Sequence, residues 1–213
     1  MAPTQQSRGK DTLVQAAERL VAERGLHGVR ASEVVKAAGH RNNSAITYHF
    51  GTWENLLIAV WESHTVRVNA DRSALIAAAR AHDGFDLPTM VRAYVEPLVA
   101  DLDRHRPSYW ARFSEQWLAT IRLDFFRLDE QAAADQPHVE SVMVVHELFT
   151  EIAATLDHLP PEARTRRVAL MSRFVIAALA AWEREGNEAQ PLDDLARELV
   201  STAVALLRAP GAF

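Results

Sequence analysis

The chain of 213 residues contains no cysteine. Disulfide scaffolds, thiolate zinc sites and cysteine nucleophiles are therefore excluded, and the absence of thiols fits a reducing compartment. Long apolar runs are also lacking, because the longest, from Phe174 to Trp182, is far shorter than the roughly 18 to 20 residues that cross a bilayer. Residues 1–10 are too polar for a signal peptide. These absences predict a cytoplasmic protein that makes no membrane contact.

The sequence also lacks the usual signatures of catalysis. It has no Glu-x-x-His pair of the kind that builds a di-iron site in a helical bundle. His146-Glu147 is not followed by a second histidine at the zinc-protease spacing, because residue 150 is threonine. A Gly-rich phosphate loop and a Gly-x-Ser-x-Gly elbow are missing as well. We therefore expect no enzymatic activity, no metal and no cofactor.

The chain has no overall excess of basic charge. Lysine and arginine number 23 against 28 aspartates and glutamates, a net charge of -5, which excludes a general nucleic-acid coat protein. The first 55 residues nevertheless hold seven basic and five acidic side chains, a net charge of +2 that leaves -7 for the remainder. Any contact with nucleic acid is therefore expected to be local and to lie near the amino terminus.

Apolar residues recur at spacings of three and four, which predicts an all-α fold of about nine helices. A first helix is expected to end at Gly25, and two short helices should span Ala31–Ala38 and Ser44–Phe50. A long fourth helix follows from Thr52 to about Ala79, because the threonine hydroxyl can cap its first amides.

The later helices are separated by prolines. Pro88 suits the first turn of a helix toward Arg104, which Pro97 should kink or split. Helices are also expected after Pro107, with a continuation over 121–127, and after Pro137, with a loop over 131–136 between them. The last two are predicted from Pro160-Pro161 to Glu185 and from Leu192 to Arg208.

Helices two and three are joined by a short polar turn over residues 39–42, which is typical of a helix-turn-helix whose second helix enters the DNA major groove. Ile46 and Phe50, four apart, can anchor the third helix to the core. A simple polar turn with Ser44 as a helix cap explains the same spacing equally well. The candidate DNA contacts have groups suited to phosphates and base edges, and they are Arg41, Asn42, Asn43, Ser44, Thr47, Tyr48 and His49.

The wider context favours the DNA-binding interpretation. Residues 37–39 read Ala-Ala-Gly, and after the turn residues 44–57 read Ser-Ala-Ile-Thr-Tyr-His-Phe-Gly-Thr-Trp-Glu-Asn-Leu-Leu. From about Lys10 to Val60 the sequence resembles the DNA-binding domain of TetR-family transcriptional regulators, in particular the subgroup with Arg-Asn-x-Ser-Ala before Tyr-His-Phe. The resemblance implies a DNA-binding domain over 1–55, joined by the long fourth helix to an effector-binding and dimerisation domain over 56–213.

Carried over by position, the resemblance implies that Tyr48 and His49 contact the DNA backbone and that Thr47 lies where an aromatic residue often reaches DNA. Arg30 stands where a capping Ser or Thr is common, and it is expected to provide a charged contact instead. Thr52 completes the candidate DNA-binding set. Trp53 occupies a position where many members carry a phosphate-binding lysine, which leaves that contact open.

The resemblance further implies a small-molecule pocket in the bundle and a homodimer formed by the last two helices. Ordinary core packing explains each residue of either set just as well. The pocket candidates are aromatic walls and two polar groups, namely Tyr94, Trp110, Phe113, Trp117, Phe149, Phe174, His64 and His146. The interface candidates are apolar stripes, namely Met171, Val175, Ala178, Trp182, Leu195, Leu199 and Leu206.

The sequence thus predicts a ligand-responsive repressor that binds a near-palindromic operator in double-stranded DNA as a homodimer. A small, largely apolar effector would release it by shifting the fourth helix. Two alternatives remain open. One is a TetR-like activator or a regulator that responds to a protein, and the other is a small-molecule-binding or catalytic helical protein without a DNA function.

Overall fold

A computed structural model of the chain describes residues 5–42, 44–82, 84–120, 139–186 and 190–211. In these ranges the chain forms nine α-helices and one short 3-10 helix, Leu26–Gly28, and no strands. The helices are α1 Gln5–Arg24, α2 Ala31–Ala37, α3 Ala45–Phe50, α4 Trp53–Ala81, α5 Leu87–Arg104, α6 Trp110–Ala119, α7 Val139–Ala154, α8 Pro161–Glu185 and α9 Leu192–Arg208. The expectations for 121–127, 131–136 and Pro137 lie outside the described residues. None of the described helices has the length and apolarity to span a membrane.

The first three helices and the start of α4 pack around one hydrophobic cluster. Helix α1 ends where predicted, because Gly25 adopts a φ of 78° and its amide donates to the Val21 carbonyl at 2.8 Å. This left-handed conformation suits glycine, which has no Cβ. The cluster is built from one face of each helix and includes Leu13, Ala17, Val21, Val34, Val35, Ile46, Phe50, Leu56, Leu57 and Val60.

Helix α4 is a single continuous helix that belongs to two parts of the protein. The Thr52 side chain accepts a hydrogen bond from the Asn55 amide at 3.1 Å, which caps the helix as the sequence predicts. Leu56 and Val60 are buried in the amino-terminal cluster, whereas Val68 is buried in the core of the carboxy-terminal bundle. The first two turns of α4 therefore share a core with the helix-turn-helix segment.

Helix α5 is not split at Pro97. The Asp86 carboxylate caps the helix by accepting from the Thr89 amide at 3.0 Å, and Pro88 lies in the first turn as predicted. Pro97 removes one backbone donor from the helix interior but is itself buried. Because α5 packs against both α4 and α9, tertiary contacts keep it continuous across the proline.

The apolar stripes on α8 and α9 face the interior of a single chain. Met171, Val175, Leu195 and Leu199 are between 0% and 6% exposed and belong to the bundle core. These four residues were predicted to form a dimer interface, and in the single chain they contribute to its own core. Ala178, Trp182 and Leu206, the remaining predicted interface residues, are half-buried and pack against the same core.

Candidate functional site

Helix α3 has one buried face and one exposed polar face. Ala45, Ile46 and Phe50 are buried in the amino-terminal cluster, which fixes the rotation of the helix about its axis. Thr47 and Tyr48 then face solvent, and the Tyr48 side chain is 73% exposed. Tyrosine hydroxyls and threonine hydroxyls are common partners of DNA phosphates. The arrangement therefore presents an exposed aromatic hydroxyl on the helix that the sequence assigns to the major groove.

The turn before α3 is held by Asn42 rather than by Ser44. The Asn42 Oδ1 atom accepts a hydrogen bond from the Ser44 amide at 3.0 Å, as in an Asx turn. The Ser44 side chain forms no capping hydrogen bond, so the interpretation of Ser44 as a helix cap lacks the contact that it requires. Arg41 is exposed beside this turn. Asn43, the other predicted contact in the turn, lies outside the described residues.

His49 is half-buried and braces α3 against the first helix. Its ring makes an edge contact with the Tyr48 ring, with centroids 4.9 Å apart, and another with the His40 ring at 6.0 Å. The His40 Nε2 atom in turn lies 3.1 Å from the Gly9 carbonyl oxygen. These contacts connect the turn and α3 to α1, and they therefore fix the position of the exposed face of α3.

The other three amino-terminal positions have different surroundings. Thr52 is exposed, and while its oxygen caps α4 its hydroxyl proton can still be donated to a phosphate. Arg30 is exposed before α2, where its amide donates to the Glu33 carboxylate at 2.9 Å. Trp53 is half-buried and packs against the amino-terminal cluster. In the place of a phosphate-binding lysine, the tryptophan thus fills part of the core.

A buried ionic cluster lies at the junction between the helix-turn-helix segment and the bundle. The His64 Nδ1 atom of α4 is 2.5 Å from the Asp101 Oδ2 atom of α5, and its Nε2 atom is 3.3 Å from the Glu18 Oε1 atom of α1. Burial alone would lower the pKa of His64, but hydrogen bonds to Asp101 and Glu18 outweigh it and raise the pKa to about 9. His64 is therefore a charged link among three helices.

The same cluster has the residue types of a metal site without the spacing of one. Ligand atoms of His64, Asp101 and His105 lie within 4.8 Å of one another. The 2.5 Å between His64 Nδ1 and Asp101 Oδ2 is the length of a charge-assisted hydrogen bond and is too short for two ligands of one ion. Arg104 lies 3.3 Å from the Asp101 carboxylate, where its charge opposes a second cation. The geometry fits a proton shared by an ion pair.

Helix α6 connects the bundle to the amino-terminal cluster. Phe113 is buried in that cluster and Trp117 packs against it, although both were predicted to line the ligand pocket. The start of α6 is capped by the buried Glu183 carboxylate of α8, which accepts from the Ser108 hydroxyl at 2.6 Å and from the Ala111 amide at 3.0 Å. Glu183 lies more than seventy residues after the helix start that it caps. No local sequence pattern could therefore predict this cap.

A small cavity of about 60 Å³ lies between α4, α5, α6, α7 and α8. Of the eight predicted pocket residues it contains three, Tyr94, Trp110 and Phe149. Phe113, Trp117 and His64 lie at the junction instead, while Phe174 packs on the bundle core and His146 is half-buried outside the lining. The remaining wall residues were not predicted, and they are Trp61, Thr65, Val68, Arg72, Leu98, Leu118, Val145, Ser172 and Ile176.

Comparison with known proteins identifies the amino-terminal segment. Residues 13–60 match the family model described as "Bacterial regulatory proteins, tetR family". Over these residues the match confirms the resemblance to TetR-family transcriptional regulators seen in the sequence.

Two solved structures show the same fold over nearly the whole chain. A putative tetR family transcription regulator from Shewanella sp. PV-4 has a TM-score of 0.56 at 15% identity and covers 93% of this chain and 95% of its own. A putative TetR-family regulator from Mesorhizobium loti MAFF303099 has a TM-score of 0.50 at 16% identity and covers 96% of this chain and 98% of its own. A search of the curated proteins found no match.

The placement of Arg41 and Tyr48 predicts two different effects on DNA binding. Arg41→Ala should relax sequence preference and cost roughly 1 to 3 kcal/mol on the operator if the arginine makes a bidentate base contact. Tyr48→Phe removes only the hydroxyl and should weaken operator and random DNA equally. Titrations of both DNAs measure the two effects. Arg19→Ala, an exposed substitution on α1, is the control, and wild-type behaviour of all three variants would refute α3 as the reading helix.

The ionic cluster predicts a loss of stability at alkaline pH. The pKa of His64 is about 9 in the folded chain against 6.5 unperturbed. Stability from protonated His64 is therefore complete below pH 6.5 and lost as the pH rises through 9. His64→Gln should lower the free energy of unfolding near pH 6 by about 3 to 5 kcal/mol, because it removes the buried cation that pairs with both Asp101 and Glu18. Denaturant titrations across this range measure both effects.

The exposed His158 provides the matched control for this experiment. His158→Gln should keep the wild-type dependence of stability on pH. In the His64→Gln variant the alkaline decline should be reduced, since Asp101, Arg104, His105 and Glu18 remain while the group that loses its proton is gone. Parallel pH profiles for wild type and His64→Gln would contradict the assignment.

Proposed function

We propose that the protein is a ligand-responsive repressor that acts in the cytoplasm as a homodimer on a near-palindromic operator. The proposal is supported chiefly by one observation about α4. Its first turns pack in the core beneath the proposed DNA-reading face, and its middle forms part of the wall of a cavity. Arg30, Arg41, Asn42, Asn43, Ser44, Thr47, Tyr48, His49 and Thr52 are the proposed DNA contacts. A second subunit related by two-fold symmetry would place the same surface in the next major groove.

The proposed dimer contact lies on the outer face of α8. Leu170 is 43% exposed, one of few large apolar side chains among the described residues that reach solvent. Phe174, Ala177 and Ala181 follow at spacings of four, three and four and continue the same face. The two exposed alanines permit a second helix to approach closely. This face replaces the buried stripes that the sequence suggested.

The proposed response to ligand follows from the size of the cavity. Its volume of about 60 Å³ is well below the roughly 300 to 1,000 Å³ typical of ligand sites, so an effector must displace the walls. Trp61, Thr65, Val68 and Arg72, all on one face of α4, form much of the lining. An effector that enlarges the cavity therefore pushes on α4. Because successive major grooves lie about 34 to 36 Å apart, a shift of α4 in both subunits misaligns the two reading helices.

Selection of bound sequences from a random DNA pool tests the proposal. A two-fold symmetric consensus is the expected result, with half-sites separated by one helical turn or a multiple of it. Compounds that bind the protein should then weaken operator binding, and the operator should weaken their binding by the same factor. Recovery of no preferred sequence would refute the DNA-binding role, and a symmetric site that no small molecule affects would refute the response to ligand.

The dimer contact makes a prediction about Leu170. Leu170→Asp should convert the protein from a particle near twice 23.7 kDa to a monomer at micromolar concentration, because it places a charge in an apolar contact. Operator affinity should fall with it. Sedimentation measures the mass. Val66→Asp, at an exposed valine on α4, is the matched control and should remain dimeric. A wild-type protein that is monomeric and still binds its operator would contradict the dimer.

The position of Trp117 predicts that ligand binding and DNA release can be separated. Trp117 packs on the amino-terminal cluster and does not line the cavity. Trp117→Ala should therefore bind effector with unchanged affinity and yet release the operator less. Calorimetric titration measures the first and DNA titration with effector the second. Trp182→Ala, at another half-buried tryptophan outside that cluster, controls for lost stability. A loss of effector binding in Trp117→Ala would contradict this prediction and show that Trp117 contributes to the effector site.

A further inference from the structure

Arg72 is a buried cation that has only neutral partners among the described residues. It lies in the middle of α4 and is 2% exposed. One guanidinium nitrogen donates to the Asn69 side chain, another lies 3.4 Å from the Tyr94 carbonyl oxygen, and the group stacks over the Tyr94 ring at 5.5 Å. The described ranges contain no carboxylate paired with it, and its Nε atom has no hydrogen-bond partner in them.

A charge buried in this way is costly. Transfer of an unpaired ion from water to a protein interior is strongly unfavourable even after the surroundings relax, so buried arginines are normally paired with a carboxylate. Burial lowers the pKa of Arg72 to about 10, yet the group remains charged at neutral pH. The neutral oxygens of Asn69 and Tyr94 compensate only part of the cost. Within the described part of the chain, the arrangement thus lacks an anion.

A second unpaired donor lies on the same cavity. The Trp110 Nε1 atom is buried and has no hydrogen-bond partner among the described residues, although a buried indole N–H usually finds one. Both Trp110 and Arg72 line the 60 Å³ cavity, where the rest of the wall is mostly apolar. Among the described residues, the buried side-chain polar atoms on this wall that have no hydrogen-bond partner are therefore both donors.

We propose that the effector is an amphipathic carboxylate. Its oxygens accept hydrogen bonds from Arg72 Nε and Trp110 Nε1, and its apolar part packs against Tyr94, Phe149 and Ile176. Guanidinium and carboxylate form strong charge-assisted hydrogen bonds, and a dry cavity strengthens them further. The inference rests on the proposed function in one respect, since it takes this cavity as the effector site, and it adds the chemical class of the molecule that fills it.

Pairs of compounds that differ only in charge test the proposal. Benzoate, phenylacetate and octanoate are titrated into the protein by calorimetry beside benzamide, phenylacetamide and octanamide. At least one carboxylate is expected to bind tenfold or more tightly than its amide and to raise the melting temperature, because it alone neutralises Arg72. Equal binding of acid and amide, or no binding by any of the three carboxylates, would overturn the proposal.

Two arginine variants test whether Arg72 causes the preference for carboxylates over amides. Arg72→Met should abolish the difference between acid and amide, and without ligand it should melt at or above the wild-type temperature, since an apolar side chain replaces an unpaired charge. Arg67→Met, at an exposed arginine of the same helix, makes the same charge change and should keep the wild-type preference. A large fall in the melting temperature of Arg72→Met, or an unchanged acid preference, would show that Arg72 is structural.

Operator titrations separate this inference from the proposed function. If amides bind and release the operator while carboxylates do not, the ligand-responsive regulator stands and the anionic effector is wrong. If carboxylates bind through Arg72 and leave operator binding unchanged, the anion site is right and the regulatory role of the cavity fails. Release of the operator by a carboxylate from the wild-type protein, and not from Arg72→Met, supports both.

Discussion

The continuity of α4 is the constraint on which the rest of this structure depends. Its early residues Leu56, Leu57 and Val60 share a core with the helices that position α3, and Val68 shares a core with the bundle. Buried side chains are close-packed, so neither core can rotate about the helix without losing contacts in the other. A displacement of α4 is consequently transmitted to α3 and its exposed face, whatever causes it.

Electrostatic contacts reinforce this connection at the same level of the molecule. The charged His64 holds Glu18 of α1 and Asp101 of α5 on its two ring nitrogens, and the Glu183 carboxylate fixes the start of α6. Pairs of this kind are poor sources of net stability but are strongly destabilising when one partner is removed. They therefore favour a particular arrangement of helices more than they favour folding. The junction combines apolar contacts through Phe113 with ionic contacts through His64.

The sequence predicts elements well and long-range pairs poorly, for a physical reason. Helix ends at Gly25 and Thr52 and the buried positions Ile46 and Phe50 follow from local rules of capping and periodicity. The apolar stripe that includes Met171 has the same sequence pattern whether it packs in its own core or against a second chain. Periodicity alone therefore cannot distinguish core residues from interface residues. In the sequence, Arg72 in turn resembles any exposed arginine on a helix, because its burial depends on how α5 packs against α4.

The size of the cavity and the buried charge of Arg72 determine how strongly a ligand can shift the equilibrium between the closed and opened states of the protein. A ligand changes a conformational equilibrium only by the difference between its affinities for the two states. In the closed state the cavity holds about 60 Å³, too little for most metabolites, so an effector of ordinary size binds almost exclusively to an opened state. The effector's preference for the opened state is then large. The free energy needed to open the cavity is therefore what limits the response to the effector. Among the described residues Arg72 has no carboxylate partner, which raises the free energy of the closed, empty protein. This reduces the net cost of opening around an anion and leaves the cost of opening around a neutral molecule unchanged.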